Sequence, residues 1–241
     1  QLMTEVTPYN NKESKKKQVT KMFDNIAESY DFLNHSLSLG MDNVWRKIAI
    51  KKLVNNPNTI LDIATGTGDF AISASKHTNA QISGIDISQG MLDVGIEKIK
   101  KKGLEDRIKL QLADSENLPF NDQTFDAITA GFGVRNFENL NKGISEMHRV
   151  LDNNGIVAIL EPSTPKYFPL KQFYNLYFNN ILPTIGAWIS KDKEAYSYLP
   201  ESVNAFPSGE KFLKELEKVG FKNCQHFPLT FGIVSLYTAI K

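Results

Sequence analysis

The sequence predicts an α/β fold in which helices cover both faces of a mostly parallel sheet of seven strands. First, short apolar runs alternate with helical patterns through the middle of the 241 residues, which is typical of βαβ units and hence of parallel strands. Second, a tight glycine turn follows the first apolar run. The runs interpreted as parallel strands are 60–63, 82–87, 108–112, 125–130 and 156–160.

The end of the chain departs from this alternation. Two apolar runs, 221–227 and 233–240, follow each other with no helical pattern between them. Strands that are so close in sequence can pair as antiparallel neighbours. We therefore predict an antiparallel edge, which brings the sheet to seven strands.

Helices are predicted where apolar residues recur at intervals of three or four. One helix covers 90–102 behind the N-cap Ser88, and others cover 140–151 and 209–219. Apolar residues in 19–54 follow the same spacing, which predicts N-terminal helices packed ahead of the sheet.

Composition limits the compartment and the class of function. Residues 1–18 are polar and rich in lysine, so we expect a disordered tail ahead of one domain over 19–241. The formal net charge of +1 gives no indication of a nucleic-acid partner. The single cysteine, Cys224, cannot form an internal disulfide and favours a reducing cytoplasm. No apolar run is long enough to span a bilayer.

The turn Gly66-Thr67-Gly68 predicts a cofactor site, because it follows a strand and opens a helix as dinucleotide-binding turns do. Asp62 lies in the preceding strand and Asp69 begins the helix, and both carboxylates would repel the pyrophosphate of NAD. S-adenosylmethionine instead carries an ammonium and a sulfonium, which favour nearby carboxylates. We therefore predict that Asp62 and the three turn residues bind S-adenosylmethionine. A glycine turn without a ligand is the alternative.

Three further residues extend this site along the same edge of the sheet. Asp86 closes the second strand, where a carboxylate can accept hydrogen bonds from both ribose hydroxyls. Asp114 follows the third strand and could accept from the adenine amine, while the backbone N–H of Ser115 donates to a ring nitrogen. The carboxyl ends of these strands meet at one crevice, the expected place for a ligand. A plain acid at a helix N-terminus is the alternative for Asp86.

Four stretches of the chain resemble signature sequences of a known family, namely 30–35, 132–136, 149–163 and 192–199. Through them the chain resembles class I methyltransferases and, within these, the quinone C-methyltransferases of menaquinone and ubiquinone biosynthesis. The resemblance begins at about Val19 and implies a Rossmann-like fold. The cofactor contacts that the resemblance implies are Thr67, Asp86, Asp114 and Ser115.

The resemblance also implies a substrate, a prenylated hydroquinone that is methylated at a ring carbon. A naphthoquinol of menaquinone biosynthesis is our first expectation, and a benzoquinol of the ubiquinone pathway is the alternative. An NAD-dependent oxidoreductase and a binding module without chemistry are the rival classes. One position departs from the family pattern: Gly131 stands where serine or another small polar residue is frequent, so only its backbone can contact the cofactor.

Arg135 and Asn136 are the candidates for catalytic residues, because they follow the fourth strand and so project over the crevice. Methylation at carbon requires the quinol hydroxyl to lose its proton, and a fixed cation can stabilise the phenolate while an amide orients it. The alternative for Arg135 is an ion pair with Glu138. Asp31 and Asn34 are expected either to close over the cofactor or to cap helices. No His, Cys and Asp cluster has ligand spacing, so no metal is predicted.

An aromatic-rich helical insertion at 163–207 interrupts the alternation of strands and helices. It is either a helix buried against the sheet or a hydrophobic lid that receives the prenyl chain and touches the membrane. If the insertion is a lid, we expect a cytoplasmic protein that makes reversible, peripheral contact with the inner face of the membrane. The oligomeric state is open, and a homodimer is one possibility. The apolar residues behind these interpretations are Tyr167, Phe168, Leu170, Phe173, Tyr174, Leu176, Tyr177, Phe178, Ile181 and Leu182.

Overall fold

The computed structural model describes residues 6–9, 11–165, 168–176 and 193–241. The strands are β1 (Thr59–Ile63), β2 (Gln81–Asp86), β3 (Ile108–Leu112), β4 (Phe125–Gly131), β5 (Leu151–Pro162), β6 (Lys222–Leu229) and β7 (Val234–Ile240). The helices are α1 (Lys15–Leu37), α2 (Met41–Ile50), α3 (Asp69–His77), α4 (Gln89–Lys101), α5 (Leu140–Val150), α6 (Leu170–Leu176), α7 (Lys193–Ala205) and α8 (Glu210–Val219). Short 3₁₀ turns cover Val134–Asn136 and Thr230–Gly232.

All seven strands join one sheet in the order β3-β2-β1-β4-β5-β7-β6. Strands β1 to β5 are parallel to their neighbours among them, whereas β7 is antiparallel to both β5 and β6. The predicted mostly parallel sheet with an antiparallel edge is therefore confirmed. The strand order reverses between β1 and β4, and this reversal leaves a crevice outside the carboxyl ends of the strands.

The central strands are buried on both faces, as parallel strands between two helical layers must be. Along β5, Val157 and Ile159 pack with apolar side chains of α5 and α8. The alternate residues Ile156 and Ala158 pack with those of α2, α3 and α4 on the opposite face. Helices therefore cover both faces, as predicted.

Helix α1 begins at Lys15, within the segment for which we expected a disordered tail. The Nζ atom of Lys16 lies 2.7 Å from the carboxylate of Asp114 and 3.2 Å from that of Glu116. Ion pairs with residues so far along the chain hold this lysine-rich turn in place. The spacing of nearby apolar residues cannot indicate such ion pairs. We therefore predicted that the first helix begins at residue 19, whereas it begins at Lys15.

The insertion contributes α6 and α7. Its described residues divide between the two interpretations. Tyr174 is buried, whereas Phe168 is 81 % exposed and Leu176 is 55 % exposed. None of the described helices is both long enough and apolar enough to cross a bilayer. The predictions for Tyr167, Tyr177, Phe178, Ile181 and Leu182, and for the side chains of Leu170 and Phe173, lie outside the described residues.

Candidate active site

A cleft opens at the carboxyl ends of the parallel strands, where the strand order reverses. Loops after β1, β2, β3 and β4 line one side of it and α1 lines the other. The space inside it, including the open mouth, is about 630 Å³. The lining of this central cleft includes Lys16, Val19, Phe23 and Tyr30 of α1, and Gly66, Asp86, Asp114, Ser115, Gly131 and Asn136 of the strand ends and loops.

Asp86 presents its carboxylate at the wall of the central cleft and is 7 % exposed. Its Oδ2 accepts a hydrogen bond from the backbone N–H of Gly66 at 2.8 Å, and its Oδ1 accepts one from that of Ser88 at 2.9 Å. Burial raises the pKa of this carboxyl. The two backbone donors fix its plane, and each oxygen keeps a lone pair for a ligand. Asp86 therefore offers two acceptors to a pair of neighbouring hydroxyls.

The glycine turn has only its first residue at the central cleft. Gly66 adopts a φ of +56°, which glycine tolerates without strain, and it lines the cleft. Gly68 is the N-cap of α3 with a φ of +79°. The hydroxyl of Thr67 donates to Asp31 Oδ1 and accepts from Lys98 Nζ at 3.1 Å. Thr67 and Gly68, for which the sequence predicted cofactor contacts, thus lie outside the lining.

Asp62 is fully buried and also lies outside the lining of the central cleft. Its Oδ2 accepts a hydrogen bond from the hydroxyl of Thr65 at 2.5 Å, and its Oδ1 accepts one from that of Thr129 at 2.7 Å. Burial raises the pKa of Asp62 to about 6. This carboxyl ties β1 to β4 and to the residue before the glycine turn, and its predicted contact with the cofactor stays a prediction.

The loop after β3 brings Asp114 and Ser115 to the central cleft. Asp114 Oδ1 accepts from the backbone N–H of Glu116 at 2.9 Å, and its Oδ2 accepts from Lys16 Nζ at 2.7 Å. Ser115 is 5 % exposed. Lys16 is a site residue that the sequence reasoning missed, because it assigned the lysine-rich segment to a tail.

Helix α1 closes one side of the central cleft and is held there by polar contacts. Asp24 Oδ1 accepts from the hydroxyl of Ser88 at 2.6 Å and from the backbone N–H of Gly90 at 3.0 Å. Further along α1, Asp31 pairs with Lys98. Burial raises the pKa of the Tyr30 hydroxyl to about 12, so this cleft-lining phenol is neutral near pH 7. The sequence missed Tyr30 as a site residue, although its place in a helical apolar pattern was a usable signal.

Asn136 is the part of the 3₁₀ turn after β4 that reaches the central cleft. The residue is 7 % exposed, and its Oδ1 accepts a hydrogen bond from the hydroxyl of Tyr198 at 3.1 Å. Its Nδ2 is buried and has no hydrogen-bond partner among the described residues. A buried donor without a partner is unusual in folded proteins and suggests that a ligand completes it.

Arg135, the neighbouring candidate, does not line the central cleft. Its Nη1 donates to Oε2 of Glu161 at 3.0 Å, and its backbone N–H donates to Oε1 at 3.2 Å. Glu161 is fully buried at the end of β5, and burial raises its pKa. The ion-pair partner is thus Glu161 and not Glu138, the partner that the sequence offered as an alternative.

Gly131 ends β4 and lines the central cleft. A Cβ atom at this position would lie 2.9 Å from Cδ1 of Phe70 in α3, which is closer than side chains pack without shifting. The glycine therefore leaves room for the aromatic ring, which gives a physical reason for the departure from the family pattern.

Among the described residues, His35, Asp42 and Asp69 form a group whose ligand atoms lie within 4.8 Å of one another. Arg46 lies 2.6 Å from Asp42, and Lys98 lies 2.8 Å from Asp69. Because these cations already neutralise the two carboxylates, we interpret the group as an ion-pair network that joins α1 to α4. It is not a candidate metal site.

Solved structures show which proteins share this fold. A putative S-adenosylmethionine-dependent methyltransferase of Methanococcus maripaludis aligns with a TM-score of 0.62 at 20% identity, over 97% of this chain and 95% of that chain. Phosphoethanolamine N-methyltransferase 2 of Haemonchus contortus, solved with S-adenosyl-L-methionine, aligns with a TM-score of 0.60 at 16% identity, over 81% of this chain and 52% of that chain. The fold is thus that of S-adenosylmethionine-dependent methyltransferases.

Sequence relatives give the family. The profile of the ubiE/COQ5 methyltransferase family matches residues 11–241. Demethylmenaquinone methyltransferase of Bacteroides fragilis is 51% identical over 98% of this chain and 97% of its own length. Ubiquinone/menaquinone biosynthesis C-methyltransferase UbiE of Geotalea daltonii is 46% identical over 94% of this chain and 97% of its own length. The chain belongs to the ubiE/COQ5 methyltransferase family, and its cofactor is S-adenosyl-L-methionine.

Proposed function

We propose that this methyltransferase methylates a ring carbon of a prenylated demethylquinol and that its substrate is demethylmenaquinol. The observation that carries the proposal is Asn136, which lines the central cleft and whose buried Nδ2 has no partner among the described residues. Such a donor suits the oxygen beside the ring carbon that is methylated. Relatives named demethylmenaquinone methyltransferase support the choice of ring.

The residues of the central cleft fit the cofactor. Asp86 would accept hydrogen bonds from two ribose hydroxyls, because its oxygens are held side by side by the backbone of Gly66 and Ser88. Asp114 would accept from the adenine amine, and the backbone N–H of Ser115 would donate to a ring nitrogen. When bound, S-adenosylmethionine supplies an electrophilic methyl group on a sulfonium.

Asn136 and Tyr30 would bind and activate the quinol ring. Loss of the hydroxyl proton makes the adjacent carbon nucleophilic, and Nδ2 of Asn136 would stabilise the resulting oxyanion. The neutral phenol of Tyr30 would be a second donor. Burial raises the pKa of Tyr30 to about 12, against an opposing contribution from the charge of Arg135. Arg135 lies outside the lining of the central cleft, and we propose that it favours the oxyanion from a distance without touching the ring.

The choice of ring is tested by methyl transfer from labelled S-adenosylmethionine to two reduced quinones with the same short prenyl chain. We expect kcat/KM to be about tenfold or more higher for the demethylnaphthoquinol than for the benzoquinol, since a fitted site discriminates by at least this much. The oxidised quinones are the control and should accept no methyl group, because they have no hydroxyl to deprotonate. Preference for the benzoquinol would favour the ubiquinone-pathway alternative, and transfer to neither ring would contradict the proposal.

We also propose that the protein takes its lipid substrate from a membrane surface by peripheral contact. Leu39, Phe168 and Phe231 are 89 %, 81 % and 76 % exposed. Trp45 Nε1 in α2 donates to the hydroxyl of Thr230 at 2.8 Å, which joins α2, the helix that follows Leu39, to the turn that holds Phe231. Exposed apolar side chains that lie together are typical of interaction surfaces.

Sedimentation with phospholipid vesicles tests the membrane contact. Replacing Leu39 and Phe231 together by serine should lower the vesicle-bound fraction severalfold, because apolar burial drives such association. Val54 is 74 % exposed but precedes β1 and so belongs to the opposite edge of the sheet. The control Val54→Ser should bind vesicles as the wild type does. Equal binding of all three proteins would contradict the contact.

A further inference from the structure

Helix α7 of the insertion contacts the 3₁₀ turn after β4 at two points, one helical turn apart. The hydroxyl of Tyr198 donates to Asn136 Oδ1 at 3.1 Å, and Nε of Arg135 donates to the hydroxyl of Ser202 at 3.3 Å. Tyr198 and Ser202 are each 3 % exposed. The ring of Tyr198 also belongs to the apolar cluster that Val19 and other residues of α1 form. The insertion is therefore docked directly on the residues beside the central cleft.

The contact of Tyr198 determines which end of the Asn136 amide is left without a partner. A primary amide has an acceptor oxygen and a donor nitrogen on one rotatable bond. Tyr198 engages the oxygen, so the nitrogen is the end of the amide that is buried without a partner among the described residues. Burial raises the pKa of Tyr198 to about 12, so its hydroxyl keeps the proton that it donates.

We propose that Tyr198 is a positioning residue, which holds the Asn136 amide with Nδ2 directed at the oxygen of the bound quinol. This inference rests on the proposed role of Asn136 as the donor to that oxygen. It makes the insertion part of the active site, because α7 has to be docked for the amide to be oriented. A donor that is already oriented loses no rotamer freedom when charge develops on the ring oxygen, and this is how preorganised donors accelerate a reaction.

The test is a double-mutant cycle measured at saturating S-adenosylmethionine with a reduced, short-chain demethylmenaquinone. Tyr198→Phe removes only the hydroxyl, and we expect kcat to fall about tenfold with little change in KM for the cofactor. Asn136→Ala should lower kcat further, and adding Tyr198→Phe to it should cause no additional loss, since Tyr198 acts through Asn136. Asn136→Asp keeps the acceptor for Tyr198 and lacks the donor, so its kcat should fall as in Asn136→Ala.

Tyr237→Phe is the matched control, because this buried hydroxyl accepts from the backbone N–H of Gly209 at 2.8 Å and lies outside the lining of the central cleft. It should cost stability as Tyr198→Phe does, with kcat unchanged. A Tyr198→Phe enzyme with wild-type kcat, or a loss that adds fully to that of Asn136→Ala, would overturn the positioning role alone. Wild-type kcat in both Asn136 variants would instead contradict the proposed function of Asn136.

Discussion

Replacement of Asp86 by alanine is expected to weaken the binding of S-adenosylmethionine by two orders of magnitude or more. Both oxygens of Asp86 are held in place by backbone N–H groups of Gly66 and Ser88, and each would accept one ribose hydroxyl. Charge-assisted hydrogen bonds contribute about 1.5–3 kcal/mol each, and about 1.4 kcal/mol corresponds to a tenfold change in Kd. Titration calorimetry of the purified protein with the cofactor measures the effect.

Two further variants serve as comparisons in the same calorimetric titration. Asp86→Asn keeps the shape and one acceptor oxygen, so its Kd should lie between those of the wild type and Asp86→Ala. Asp93→Ala removes an exposed carboxylate of α4 whose one hydrogen-bond donor among the described residues is Gln89, at 2.7 Å. Its Kd should equal that of the wild type. Wild-type affinity in a folded Asp86→Ala protein would show that Asp86 does not hold the ribose.

Replacement of Arg135 by methionine is expected to lower the free energy of unfolding by about 3–5 kcal/mol, because it leaves a buried carboxylate without its cation. Glu161 is fully buried and accepts from both the side chain and the backbone of Arg135. The loss should appear in urea unfolding at pH 7 as a lower midpoint with an unchanged slope.

The double variant Arg135→Met with Glu161→Gln separates the ion pair from a role in catalysis. Removing both charges should restore most of the stability, since a buried pair contributes little more than its neutral replacement. Glu138→Gln changes an exposed residue and should shift the unfolding free energy by less than about 0.5 kcal/mol. If Arg135→Met kept wild-type stability and lost only kcat, the structural interpretation would fail and the catalytic role predicted from the sequence would stand.

The fold was predictable because its signals are local. Each parallel strand is a short apolar run, and Asp86 could be placed at the crevice because it follows such a run at the spacing that ribose recognition requires. Asp114 and Asn136 reach the central cleft for the same reason: they follow the third and fourth strands, and parallel strands end at one edge. Position along the strand pattern was enough to bring these residues together.

The partners of the site residues were not predictable, because each lies on an element distant in sequence. Asp62 also lies near the end of its strand, yet its side chain is fully buried and accepts from the hydroxyls of Thr65 and Thr129. Lys16 is recognisable as a site residue only once α1 is seen beside Asp114. Tyr198 likewise contacts Asn136 through the packing of α7. The spacing of apolar residues in the sequence does not predict that contact.

The close approach of Gly131 to Phe70 limits which pairs of residues can occupy positions 70 and 131. A serine at this position would bring its Cβ to 2.9 Å from the ring of Phe70. Either the ring has to turn or position 70 has to hold a smaller residue before a side chain fits at position 131. The residues at positions 70 and 131 therefore depend on each other. A bulky ring at position 70 favours glycine at position 131, and a hydroxyl at position 131, beside the cofactor, favours a smaller residue at position 70. We therefore expect a serine at position 131 to be accommodated more readily when position 70 holds a smaller residue than phenylalanine.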